Sequence, residues 1–193
     1  MFAPKILVIP GSLRGESYNV RLAALATKAL TLAGAEVTRI SLADYPLPIY
    51  DADLAAKSGP PLQAVQLKQL VAAHRGVFIT SPEYNASVTP LLKNAIDWIS
   101  TVRERGEPQL AVFQNRAFAI GGASPGRSGA LNSLLTLRQV LAIGCRAMVV
   151  AEQVSIPNAA TAFDAMDELT DARAAAQLKT VVSKLVEYVQ MLG

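Results

Sequence analysis

Residues 5–19 read KILVIPGSLRGESYN. The first six form a nearly continuous apolar run, the pattern of a short strand buried on both faces. The next nine, GSLRGESYN (11–19), are small and hydrogen-bonding, with one fixed positive charge at Arg14. The run behind them, YNVRLAALATKALTLA (18–33), carries Leu22, Leu25, Ala26, Ala29 and Leu30 at helical spacing, and Gly34 stands where a glycine stop belongs. Strand, polar loop, helix is the opening of a βαβ unit.

The rest of the chain repeats that order. EVTRISL (36–42) alternates as a second strand, and residues 43–61, with Pro46, Pro48, Pro60 and Pro61, read as a long surface loop before a helix over 62–74. GVFITS (76–81) is a third strand. Thr89-Pro90 reads as an N-cap with proline in the first helical position, opening LLKNAIDWISTV. RAFAIGGA (116–123) is a fourth strand, residues 128–143 are helical, and AMVVAEQVSI (147–156) contains a fifth strand. In the last helix Leu178, Val181, Val182, Leu185, Val186 and Val189 make one apolar face. Strands alternating with helices predict an α/β fold: a parallel sheet of five strands with helices on both faces, one domain over residues 1–193. In such folds ligands lie outside the carboxyl ends of the strands. Attention therefore falls on loops 11–19, 82–89 and 123–130.

Composition narrows the classes. Of 193 residues, 51% are apolar and 17% charged, which suits a packed core and argues against disorder. The net charge of +3 is spread over scattered single Arg and Lys residues, so nucleic acid is not the expected partner. Cys145 is the only cysteine, which leaves no intramolecular disulfide. The apolar runs are too short to span a membrane, and Met1–Lys5 leads directly into a strand with no leader pattern. A cytoplasmic enzyme or binding protein is the expectation.

Each loop has its own chemistry. A helix N-terminus offers unpaired N–H groups and partial positive charge, which favour a phosphate. In loop 11–19, Ser12 and Ser17 add hydroxyls, Asn19 an amide, and Arg14 a cation able to meet phosphate oxygens with two N–H groups. The plainer alternative is Ser17 as a simple helix cap and Gly11-Ser12 as an ordinary turn. Neither GxxxxGK[ST] nor GxGxxG is present, so the cup suits a terminal phosphomonoester better than a nucleoside triphosphate or a dinucleotide held in the Rossmann manner. In SPEYNASVTP (81–90), two prolines, Tyr84 and Asn85 suit a planar heteroaromatic ring; the alternative is a stiffened turn with Tyr84 packed inward. In GGASPGRSGA (121–130), Gly122 to Gly126 match GxSxG formally. A nucleophile elbow needs the N–H after its serine, and Pro125 has none; the only histidine, His74, precedes Ser124 instead of following it. The glycines point instead to backbone packed against a flat ligand. His74 reads as a helix-end histidine, Cys145 as a buried thiol, and Lys93 with Asp97 as a surface pair one turn apart.

Taken together, GSLRGESYN, SPEYNASVTPLLKNAIDWIS and GGASPGRSG resemble the NAD(P)H-dependent FMN reductases of the flavodoxin-like superfamily, which include quinone and chromate reductases. The resemblance spans residues 5–145, and PEYN…LKNAIDW is its most specific part. It implies a flavodoxin-like three-layer sandwich with strand order 2-1-3-4-5. By it, Ser12, Arg14, Ser17 and Asn19 bind the FMN phosphate. Pro82, Glu83, Tyr84 and Asn85 line the isoalloxazine, largely through backbone groups, and Ser124 and Gly126 approach its other edge. It further implies NADPH or NADH as electron donor, a small-molecule acceptor (quinone, free flavin, chromate or azo compound), ping-pong kinetics, and a homodimer or homotetramer with the Trp98 helix near a partner. The flavin carries the chemistry, so no protein nucleophile and no metal are expected. Where many relatives carry GGxRAQ ahead of LRQVL, this chain has Asn132 and Leu134 in place of the arginine and glutamine. The rival reading is a flavodoxin-type electron carrier, a class usually strongly acidic, whereas this chain is basic.

Overall fold

The computed structural model describes residues 3–193. Strands β1 (Lys5–Pro10), β2 (Glu36–Arg39), β3 (Gly76–Thr80), β4 (Ala117–Ala123) and β5 (Met148–Ile156) form one parallel sheet in the order 2-1-3-4-5. Alternation sorts each central strand between two cores. Ile6, Val8, Phe78, Ala117 and Ala119 face helices α1 (Tyr18–Leu32) and α6 (Ala172–Met191). Leu7, Ile9, Val77, Ile79, Phe118 and Ile120 face α3 (Leu62–Ala73), α4 (Pro90–Thr101) and α5 (Leu131–Gln139). This double burial is why β1, β3 and β4 lack polar alternation. The six apolar residues expected on one face of the last helix are all buried in α6.

Termini follow local chemistry. Ser17 caps α1, Thr89 caps α4 with Pro90 in its first turn, and Gly34 (φ +85°) ends the α1 turn. β2 stops at Arg39, three residues short of the expected end, because Ser41 caps a short 3₁₀ turn over Leu42–Asp44. The stretch expected as loop contains α2 (Ala52–Ser58), capped by Asp51 on the N–H groups of Asp53 and Leu54 and closed at Gly59 (φ +73°). None of its residues is buried, so it carries no apolar periodicity to betray it. The helix expected over 128–143 begins at Leu131 and changes to a π-turn over Val140–Gly144.

Candidate functional site

In the order 2-1-3-4-5 the chain leaves β1 to one side, toward β2, and leaves β3 to the other, toward β4. The strand order therefore switches between β1 and β3, where such folds hold a ligand crevice at the carboxyl ends. All three predicted loops start at that edge, after β1, β3 and β4. Buried hydrogen bonds bolt them together. Gly11 donates its N–H to the Thr80 carbonyl at 2.7 Å, and Thr89 Oγ1 donates to the Gly11 carbonyl at 2.9 Å. Asn19 Nδ2 donates to the Ala123 carbonyl at 2.8 Å, while its Oδ1 accepts from the Ala123 N–H at 2.9 Å. Ser133 Oγ lies 2.8 Å from Ser81 Oγ and donates to the Pro82 carbonyl at 2.9 Å.

In the first loop, Ser12 Oγ accepts from the Arg14 N–H and Ser17 Oγ from the Asn19 N–H, both at 3.3 Å. Each hydroxyl thereby keeps its own hydrogen for an outside acceptor. Arg14 is exposed and spends one N–H on the Glu16 carbonyl at 3.3 Å. The N–H groups of Glu16 and Tyr18 meet no acceptor among the described residues, and the first turn of α1 holds no acidic side chain. Two hydroxyls, a guanidinium and free N–H groups at a helix start form a donor set that matches a phosphomonoester. Asn19 is buried, and its Oδ1 and one Nδ2 hydrogen are bonded to the Ala123 backbone, which ties the first loop to the third.

The second loop is a tight reversal. Tyr84 and Ser87 exchange both backbone hydrogen bonds at 3.0 Å, with Asn85 (φ 51°) and Ala86 (φ 59°) at the tip in the left-handed region. Tyr84 is 54% exposed, so the inward-packed alternative is excluded. Sequence reasoning missed the work of the Glu83 carboxylate. It accepts from the N–H groups of Asn132 at 2.9 Å and Ser133 at 3.2 Å, and from Asn132 Nδ2 at 3.3 Å. The residue before α5 is Ala130, in the left-handed region with no side chain to cap (φ 67°), so Glu83 caps the helix from another loop. Asn132, one of the two departures from the related pattern, is thus half of the clasp; Leu134, the other, is fully buried.

The third loop corrects one expectation. A Cβ on Gly121 would lie 2.7 Å from Val154, one on Gly122 2.8 Å from Ala130, and one on Gly129 2.5 Å from Ser155 Oγ. These glycines are needed for packing within the chain rather than against a ligand. Gly126 alone in this loop has room, its nearest neighbour being Ser124 Oγ at 3.6 Å. Ser124 Oγ accepts from the Gly126 N–H at 3.2 Å, a compact turn at the crevice rim. His74 ends α3 ahead of β3, at the opposite edge of the sheet, bonded to the Leu70 carbonyl and Thr38. Cys145 is buried, and burial pushes its thiol up to about 11. Lys93 pairs with Asp97 at 2.7 Å, and Trp98 is fully enclosed by its own chain, donating to the Pro48 carbonyl.

A 2-1-3-4-5 parallel sheet with helices on both faces, and a donor-rich loop after β1 beside two further loops at the same edge, defines a flavodoxin-like protein. The model of the NADPH-dependent FMN reductase family matches residues 4–161. An NAD(P)H-dependent FMN reductase of Pseudomonas aeruginosa is 36% identical over 189 residues, 97% of this chain and 96% of the relative. A 2-hydroxy-1,4-benzoquinone reductase of a Burkholderia species is 32% identical, covering 97% of both. Among solved structures, the flavoenzyme NAD(P)H:(acceptor) oxidoreductase of Paracoccus denitrificans superposes with a TM-score of 0.79 at 28% identity, over 99% of this chain and all of that one. The chain belongs to the NADPH-dependent FMN reductase family. It is an oxidoreductase that works with FMN and NAD(P)H.

Proposed function

We propose that this chain reduces quinones with electrons from NAD(P)H, on an FMN held by the three crevice loops. The observation that carries the reading is the donor set of Ser12, Arg14 and Ser17 at the start of α1, bolted to the other two loops. Ser12, Arg14 and Ser17 bind the phosphate, and Asn19 holds their loop in register with β4. Backbone groups of Pro82, Glu83, Tyr84 and Asn85 line one edge of the isoalloxazine, and the Ser124–Gly126 turn lines another. When bound, FMN accepts a hydride from the nicotinamide and passes electrons to the acceptor. Tyr84 and the turn tip leave an open approach that donor and acceptor occupy in turn, which gives ping-pong kinetics. The quinone class is supported by relatives named quinone reductase in Escherichia coli and Pseudomonas putida. We place the protein in the cytoplasm as one domain over residues 1–193, assembled as a homodimer or homotetramer. No helix among the described residues is long and apolar enough to cross a membrane.

The test needs the purified chain alone. NADPH added to the yellow protein bleaches it within minutes, and benzoquinone then restores the colour. Initial rates with NADPH varied at several quinone concentrations give parallel double-reciprocal lines. A flavin that stays oxidised in NADPH overturns the reading in favour of an electron carrier.

A further inference from the structure

The family match ends at residue 161, and just beyond it the chain builds a hairpin between β5 and α6. Phe163 and Leu169 pair across it, and the Asp164 carboxylate accepts from the N–H groups of Met166 and Glu168 at 2.8 and 2.9 Å. The hairpin is clamped onto α1. Arg21 Nε donates to Asp167 at 2.6 Å, its Nη2 donates to the Asp164 carbonyl at 3.2 Å, and Lys28 pairs with Glu168. Arg21 also lies 4.5 Å over the Phe163 ring. Phe163 in turn stacks on Tyr18, centroids 6.4 Å apart and planes 8° from parallel. The guanidinium of Arg14 sits 5.7 Å from the Tyr18 ring centroid. A continuous stack therefore runs from the hairpin clamp to the cation of the phosphate loop.

We propose that Phe163 is a positioning residue for phosphate recognition: through Tyr18 it gives Arg14 a fixed surface, and so sets the preference for FMN over riboflavin. This rests on the phosphate-cup reading above. A long cationic side chain loses rotamer freedom on meeting its anion, and an aromatic face that already holds it removes part of that cost. Tyr18 can offer such a face only if its own ring is fixed. Phe163, 8% exposed, fixes it.

The experiment titrates the flavin-stripped full chain with FMN and with riboflavin. Phe163→Leu keeps the apolar bulk and removes the ring face; it weakens FMN binding about fivefold and leaves riboflavin within about twofold. Phe163→Tyr restores the FMN preference. In an Arg14→Ala background, Phe163→Leu produces no further loss of FMN affinity, because the two act through one contact chain. Equal weakening of both flavins, or full additivity with Arg14→Ala, overturns the proposal and reduces Phe163 to a core residue. Should Phe163→Leu fail to fold, Asp167→Ala carries the test. It lies on the surface, removes the ion pair that steadies Arg21 over Phe163 while leaving the Asp164 carbonyl contact, and lowers the FMN-to-riboflavin ratio about twofold; an unchanged ratio overturns the proposal. Wild-type protein that binds riboflavin as tightly as FMN overturns the phosphate cup itself.

Discussion

The proposed phosphate cup depends most on Arg14 and Ser17, one with a permanent charge and the other with a hydroxyl at the α1 cap. Replacing both with alanine removes about two charge-assisted hydrogen bonds of roughly 1.5–3 kcal/mol each, so FMN affinity falls by two orders of magnitude or more. A flavin-fluorescence titration of the double variant measures it, and unchanged affinity overturns the assignment. Cys145 makes a separate prediction. With its thiol pushed up to about 11 by burial, it stays protonated at pH 8, so iodoacetamide leaves the native chain unlabelled and reacts only in denaturant. Residues such as Ser12, Arg14 and Ser17 were legible in the sequence because their chemistry belongs to their own loop. Asn19 was read as a phosphate donor and Glu83 as a ring-lining residue, and the bolting and capping work of their side chains was not legible. Their side-chain partners lie 104 and 49 positions away, and no local pattern encodes such a pairing.

Helices show the same division between local and distant signals. α1 and α4 announced their starts by side chains that cap from within the chain segment, whereas α5 has Ala130 at its N-cap and is capped by Glu83 from across the crevice. Glu83→Ala removes that cap at a cost of about 1–2 kcal/mol in urea unfolding, and Glu83→Gln, which keeps an acceptor oxygen, loses less. α3 is tied to the segment after α4 by another pair. Lys68, almost wholly buried, binds the Glu107 carboxylate, which also accepts the Glu104 N–H at 2.9 Å. These bonds, the one from Lys68 foremost, hold the Glu107 pKa below its ordinary value near 4.5. A depressed carboxylate stabilises the fold above its unfolded pKa, and the contribution drains away as pH falls through the lower folded value. Glu107→Gln leaves the Lys68 charge buried without its counter-ion and costs about 3 kcal/mol at pH 7. Thermal melts then show a gap of about 6–12 °C at pH 7 that closes in acid, where the wild-type carboxyl is itself neutral. A gap that persists undiminished below the folded pKa contradicts the pairing.

At the scale of the molecule, the crevice exists only when the sheet does. Its walls follow β1, β3 and β4, whose loops are far apart in sequence and adjacent only through the 2-1-3-4-5 order. Alternating strands and helices made the sheet and its ligand edge legible. The strand order itself came from resemblance, since periodicity says which segments are strands and not which are neighbours. One consequence can be measured on the intact chain. An unfolded chain cannot bring Ser12, Arg14 and Ser17 into register with loops 82–87 and 124–128, so FMN binds the folded state alone and stabilises it by mass action. At a hundredfold excess over its dissociation constant FMN adds about 2.7 kcal/mol, which raises the melting temperature of the flavin-stripped protein by about 5–11 °C. Riboflavin, lacking the phosphate, gives a smaller rise at the same concentration, and the Arg14→Ala, Ser17→Ala variant brings the FMN shift down to the riboflavin level. An FMN shift equal to that of riboflavin in the wild type would place the binding energy in the ring-lining loops and leave the β1–α1 loop without its anion.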